Sequence, residues 1–307
     1  MIYEVSHRTV YRYEQPVSIS HHLLHLTPRL CPRQVTGESA LEVHPAPSVR
    51  HEDTDYFGNP ITFLTVQQSH KELTLHTLSF IDVKPPEPPE PSATPPWDDV
   101  VAVLDEDRSA ETLDALQYRY ASMHTPIDDD LKAYAQISFR PRRPVLEAAR
   151  ELTHRINRDF LYDTRATSIG TPVTEVFRMR RGVCQDFAHL QLACLRSLGL
   201  AARYVSGYLL TRPAEGKEKL VGADASHAWL AIWVPGHGWV DLDPTNDLIP
   251  KDEHITLAWG RDYGDVSPVQ GIMFGGGAHT VSVAVDVTRL DPTAVLSAGR
   301  EVTATAK

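Results

Sequence analysis

The sequence predicts an α+β protein, and three observations carry that prediction. Short runs alternating apolar and polar residues fill the first 83 residues, a proline-rich stretch interrupts them, and helical periodicity then gives way to short strands after Leu200. Strands and helices gathered into separate blocks point to α+β, where a strict alternation would point to a parallel sheet. The boundaries read as a β domain over 1–83, a linker over 84–97, a helical connecting segment over 98–140, a core over 141–265 and a C-terminal strand segment over 266–307.

Each part has its own signal. In the first, "IYEVSHRTVYRYE" and "LTLHTLSFIDV" alternate with period two, and "YFGNPITF" sets Gly58-Asn59-Pro60 as a turn between apolar runs. Seven prolines between Pro85 and Pro96 cannot join a ladder or a helix interior, so 84–97 reads as an extended, semi-rigid connector. "RPVLEAARELTHRINRDF" repeats apolar residues at threes and fours through Val145, Leu146, Ala149, Leu152 and Ile156, which predicts an amphipathic helix. A second helix opens near Val183 and carries Phe187, Leu190, Cys194 and Leu198 on one stripe. "ARYVSGYLL", "HAWLAIWV" and "GWVDLDP" are strands, with the Pro235-Gly236 turn between the last two. The tail "HTVSVAVDVTRL" is one more strand, free to pair with either domain.

The totals narrow the class. A net charge of −10 excludes a general binder of nucleic acid or anionic membrane, both of which need a basic face. "MIYEVSHRTVYRYEQ" has no apolar signal core, and no run approaches the ~18 apolar residues of a membrane span. Three cysteines make no disulfide framework, and no metal-finger spacing occurs. The expectation is a soluble, cytoplasmic protein without cofactor or metal.

One cysteine is oddly placed. Cys184 follows Gly182-Val183 at the start of the second helix, whereas Cys194 lies deep in the stripe as a small hydrophobe. A helix start presents free N–H groups and partial positive charge, which favour a thiolate and offer a donor to an oxyanion. A thiolate nucleophile needs a base, and the base an orienting group. His227 opens an alternating strand, and an aspartate closes the next one before Pro244. A hairpin through "PGHG" brings these two ends together, although alternation alone cannot choose between Asp241 and Asp243.

"GVCQDFAHLQLACLRSLGLAARYVSGY" followed by "SHAWLAIWVPGHGWVDLDPTND" resembles the core of bacterial transglutaminase-like proteins, a branch of the papain-like cysteine-nucleophile superfamily. "VSHRTVYRYEQPVSISHHLLHLTPR" and "DYFGNPITF" resemble the β domain that precedes that core, and "GRDYGDVSPVQGIMFGGG" the sequence that follows it. The resemblance implies a papain-like core, a nucleophile helix packed on an antiparallel sheet, with Cys184 as nucleophile, His227 as general base and acid, and Asp243 orienting His227. It selects Asp243 because the family carboxylate directly precedes Pro-Thr. The implied chemistry is acyl transfer through a thioester, with amide or peptide hydrolysis preferred and protein-glutamine transamidation as the alternative. Substrates are then peptides, proteins or small amides, with an amine as second substrate in the alternative. A non-catalytic binding module on the same fold is the third reading, and it predicts a degraded triad. With no tryptophan between Trp97 and Cys184, Tyr162 is the candidate second oxyanion donor.

Other residues have plainer readings. Asp186 suits the helix dipole as a cap-region charge. His189 sits one turn past Cys184 but reads as an interior histidine, and Trp229 and Trp233 as one core face. His21, His22 and His25 converge on a metal only in a helix, and their context is strand. Zinc on Cys184, His227 and Asp243 lacks a fourth ligand. No calcium loop or phosphate loop is present.

Overall fold

A computed structural model of the chain describes residues 1–211 and 226–291. Residues 212–225, inside the expected core, and 292–307, at the end of the expected tail segment, lie outside the described residues. Strand β1 (Ile2–Leu24) organises the first part, followed by β2 (Gln34–His44), β3 (Val49–Thr54), β4 (Pro60–Val66) and β5 (His70–Val83). They form an antiparallel sheet in the order β2-β5-β1-β4-β3. β1 serves two sets of neighbours because it is irregular in the middle. Its register with β5 shifts between Arg12 and Val17, around Pro16, whose missing N–H cannot serve a ladder.

Residues 84–90 have no regular structure, and helices α1 (Trp97–Glu106), α2 (Ala110–Leu116) and α3 (Asp129–Gln136) follow. The proline stretch does not span a gap between domains. It lies along the core as a strap, tied by Lys84 N–H to the Arg33 carbonyl at 2.8 Å and at its far end by Trp97 N–H to the Arg143 carbonyl at 3.0 Å.

The core begins with α4 (Val145–Asp159), β6 (Leu161–Tyr162), α5 (Val173–Met179) and β7 (Arg181–Gly182), and continues with α6 (Cys184–Ser197). Strands β8 (Ala202–Leu209), β9 (Ser226–Val234), β10 (Gly238–Leu242) and β11 (His254–Gly260) make an antiparallel sheet in the order β10-β9-β8-β11. α6 shows more than the one apolar stripe expected of it: every residue from Asp186 to Ser197 is buried. Its polar members are largely served, although Gln191 Oε1 is buried without a partner. Gln191 donates to Thr153 Oγ1 at 2.8 Å, and Arg196 donates to the carbonyls of Tyr118, Ala202 and Arg261.

α7 (Tyr263–Val266) leads the chain back to the β domain, where β12 (Val269–Gly275) and β13 (His279–Leu290) both pair antiparallel with β1. The tail thus completes the N-terminal sheet. Among the described residues no helix is long and apolar enough to cross a membrane.

The two parts share a core. Tyr3, Val5, Ile81 and Val287 of the β domain pack with Tyr208 of β8 and Ile255 and Leu257 of β11. Two side-chain amides also bind the open edge of β11 as a further strand would. Gln34 receives Thr256 N–H at 2.8 Å and donates to its carbonyl at 2.7 Å. Asn59, from the "GNP" turn, does the same at Trp259, at 3.0 and 2.8 Å. An unpaired edge is thereby closed.

Candidate active site

α6 starts abruptly, and three residues make it do so. Gly182 leaves no room for a side chain: a Cβ there would lie 2.7 Å from Asp186 Oδ2. Val183 is the N-cap, but its side chain accepts no hydrogen bond, so the acceptor comes from Asp186 instead. Its carboxylate reaches back to Val183 N–H at 2.8 Å and takes the Thr167 hydroxyl at 2.6 Å. Burial pushes the Asp186 carboxyl pKa up, against those hydrogen bonds. Cys184 is consequently fixed as the first helical residue, half-buried, and its backbone N–H has no intrahelical acceptor.

His227, near the start of β9, is 8% exposed, and Asp243, just past the end of β10, is fully buried. The β9–β10 hairpin pairs Leu242 with Leu230 and brings His227 Nε2 to 2.7 Å from Asp243 Oδ2. Burial alone would push the His227 pKa down. Hydrogen bonding to Asp243 and Cys184, with the charges of both, outweighs it and carries the value up to about 10. Asp243 is likewise penalised by burial, but hydrogen bonds from His227 and His254 hold it well below the usual carboxylate range. With Nε2 committed to Asp243, Nδ1 is the nitrogen left for the thiol.

The structure also separates the two aspartates that alternation could not. Asp241 pairs with Arg33 at 3.0 Å, while Asp243 meets His227. Tyr162 lies on β6 opposite Gly182, two residues before the thiol, and is 51% exposed. Partial burial raises its hydroxyl pKa, and the charge of Cys184 adds to the effect.

The other singled-out residues fall elsewhere. His189 is an interior residue: it stacks on His124 with the rings 5.1 Å apart, accepts Tyr263 N–H at 3.1 Å, and burial lowers its pKa to about 3. Trp229 and Trp233 are both buried but do not share one cluster. Trp229 packs with Val205 and Ala231, and Trp233 joins the main core, as the strand twists along its length. His21, His22 and His25 diverge: His21 meets Thr65, His22 is buried in the sheet, and His25 bonds Asp55.

Two site residues had escaped the reading of the sequence. Asn246 donates to Asp243 Oδ2 at 2.7 Å, while the N–H groups of Thr245 and Asn246 bond Oδ1 at 2.9 and 3.1 Å. "DPTN" is thus an Asx-type turn closed on the carboxylate, a signal that was legible. His254, at the start of β11, places Nε2 3.0 Å from Asp243 Oδ2. It lies across β8 from the hairpin, and its ring packs edge-on against Trp229, whose own ring fills the space a side chain at Gly207 would need. The His227 and His254 rings lie 5.8 Å apart.

His227, Asp243 and His254 offer ligand atoms all within 4.8 Å of one another, a spacing that a metal could use. Yet the shared point is Asp243 Oδ2 itself, at hydrogen-bond distance from both imidazoles and the Asn246 amide. The three side chains are joined to one another by hydrogen bonds through that oxygen.

A half-buried thiol at a helix start, facing an imidazole–carboxylate pair on an antiparallel sheet, is the arrangement of the papain-like folds. The comparisons agree with that class. Residues 3–82 match the model of the bacterial transglutaminase-like N-terminal region, and residues 132–244 that of the transglutaminase-like superfamily. The uncharacterized protein Rv2569c of Mycobacterium tuberculosis is 41% identical over 295 residues, covering 93% of this chain and 92% of its own. A protein-glutamine gamma-glutamyltransferase of Pseudomonas aeruginosa is 33% identical over 105 residues, which is 33% of this chain and 16% of that one. The solved structure of a conjectured cysteine protease from Cytophaga hutchinsonii shares the fold, with a TM-score of 0.75 at 20% identity, covering 95% of this chain and 91% of that one. This chain belongs to the transglutaminase-like superfamily.

Proposed function

We propose that the protein is a cysteine-dependent acyl-transfer enzyme acting on amides, with hydrolysis as its main outcome. The observation that carries the reading is the His227–Asp243 bond of 2.7 Å beneath the start of α6, with Cys184 acting on the same imidazole. In this reading Cys184 Sγ attacks the amide carbonyl and forms a C–S bond. The negative charge moves to oxygen, where the Cys184 backbone N–H and the Tyr162 hydroxyl serve as donors. Collapse breaks the C–N bond as His227 gives its proton to the departing amine, leaving a thioester. Water, deprotonated by His227, then releases the acid and restores the thiol. Asp243 keeps Nε2 of His227 protonated and aims Nδ1 at sulfur.

Transamidation is the second reading, favoured by the 105-residue likeness to the gamma-glutamyltransferase. It differs only in that an amine replaces water at the thioester. Product analysis on a glutamine-containing peptide, with and without a primary amine, separates the two. Ammonia or peptide amine without adduct supports hydrolysis, whereas a mass adduct of the amine supports transfer. Loss of both in Cys184→Ala is expected under either. A wild-type protein that turns over no amide, and whose Cys184 gains no reactivity from His227, would be a binding module.

A further inference from the structure

Away from the triad, the proline strap and the core sheet enclose a cavity of about 690 Å³, within the range of ~300–1,000 Å³ usual for small-molecule sites. Pro85, Pro86, Pro88 and Pro89 line it together with the indoles of Trp239 and Trp259, and none of Cys184, His227 or Asp243 does. One lining residue is anomalous. Arg203, on β8, is 8% exposed, and its guanidinium carbon lies 3.6 Å from the Trp259 ring centroid and 4.4 Å from that of Trp239. Its Nε is buried without a hydrogen-bond partner.

The other buried arginines each have acceptors, although Arg29 Nε is likewise without a partner. Arg155 donates to the Tyr134 carbonyl and Ser138, Arg196 to three carbonyls, and Arg29, stacked on Trp259, to Phe57 and Asn59. Arg203 has no acceptor among the described residues. Asp241, whose charge bears on it, gives its carboxylate to Arg33 at 3.0 Å instead. Guanidinium donors point outward in the plane of the group, so contact with aromatic rings satisfies none of them. A buried Nε–H without a partner calls for an acceptor, and the cavity is where one can enter.

We infer that this cavity binds a small organic carboxylate with a flat apolar body, its charge received by the donor edge of Arg203. The fork of a guanidinium matches a carboxylate in two parallel hydrogen bonds. The prolines and indoles suit a planar apolar body. Glu87 and Asp114 also line the cavity, which disfavours a multiply charged anion such as phosphate. This inference does not depend on the catalytic reading.

Benzoate and benzamide, equal in shape and different in charge, test it by titration calorimetry and tryptophan fluorescence on the full chain. Benzoate is expected to bind at least tenfold more tightly than benzamide. Arg203→Met, which keeps a flexible apolar side chain between the indoles, should weaken benzoate tenfold or more and leave benzamide unchanged. Lys84→Glu, at an exposed position in the cavity lining, should weaken benzoate alone by threefold or more even if Arg203→Met does not fold. Equal affinity for the two probes, or benzoate binding indifferent to both substitutions, would overturn the inference. Iodoacetamide labelling of Cys184 is a separate readout that these outcomes leave untouched.

Discussion

His254 Nε2 lies 3.0 Å from Asp243 Oδ2, the same oxygen that meets His227 Nε2 at 2.7 Å. Two imidazoles therefore share one carboxylate oxygen, each donating an Nε2–H to it. His254 draws on the charge that Asp243 would otherwise direct wholly at His227, and it gives the carboxylate a second fixed donor. In His254→Leu, the imidazolium of His227 should hold its proton to higher pH while Asp243 is less well fixed. The expected result is a turnover about tenfold lower, or ~1.4 kcal/mol, with the alkaline limb of the pH–rate profile moved upward. His254→Gln keeps a donor and should recover part of the rate. A purely structural role for His254 would lower the rate without moving that limb.

Asp243→Asn tests the other side of the same bond. An amide carries no charge to sustain the imidazolium, so the His227 pKa should fall from about 10 toward or below its ordinary 6.5. The alkaline limb then moves down, opposite to the His254→Leu shift. By analogy with carboxylate loss in a serine triad, the rate should drop by roughly 10³–10⁴-fold. Iodoacetamide labelling of Cys184 at pH 6 should slow in parallel, and likewise in His227→Ala.

The same pair sets a pH window for stability. His227 has a raised pKa in the fold, so its contribution is complete below about 6.5 and is lost as pH rises toward about 10. Asp243 has a lowered pKa, so its contribution is present above about 3.8 and is lost as pH falls through its folded value. Both are in full force only between those limits. Urea midpoints measured from pH 4 to 10 should therefore fall on the alkaline side, and that decline should flatten in His227→Leu.

What the sequence discloses and what it hides divide along physical lines. Cys184, His227 and Asp243 stand out because each sits at the end of an element whose period and turns are local signals. Asn246 is equally local, since an Asx-type turn needs only "DPTN". His254 has no such signal. Its approach to Asp243 depends on β11 lying beside β8, and strand order is a non-local property. The same holds for the docking of Asn59 and Gln34 on β11, 200 and 222 residues away. The cavity at Arg203 draws on the strap, the β domain and three core strands, so no window of sequence contains it.

Gly207 is where that hidden packing is most sharply constrained. A Cβ added there would lie 2.1 Å from the Ile255 carbonyl oxygen and 2.5 Å from the Trp229 ring. The carbonyl belongs to the neighbouring strand and cannot swing aside as a side-chain end would. Gly207→Ala should destabilise the fold by about 3 kcal/mol or more, read from denaturant unfolding. Because the Trp229 ring held against Gly207 also packs on His254, whatever protein does fold should show the altered alkaline limb of His254→Leu. A substitution that left stability and pH profile unchanged would mean that β8 and β11 are not in contact at this residue.

Asn59 makes the last case, because its effect should spread from an interface to the sheet that carries His227. Its amide accepts Trp259 N–H and donates to the Trp259 carbonyl, and it also receives the Arg29 guanidinium. Asp55 holds the turn in place by accepting Asn59 N–H at 2.8 Å and its side-chain amide at 2.7 Å. Asn59→Ala would leave two groups of the β11 edge without partners, each costing about 1–3 kcal/mol, and would take from the buried Arg29 one of its two acceptors. Asn59→Asp keeps the acceptor for Trp259 N–H and Arg29 but loses the donor and sets a second carboxylate beside Asp55. Both variants should lower the thermal midpoint, Asn59→Ala by several degrees. Hydrogen exchange should locate the damage, with β11 amides from Ile255 to Trp259 losing protection before those of β9. His254 starts that strand, so exchange at its amide should rise together with the fall in turnover.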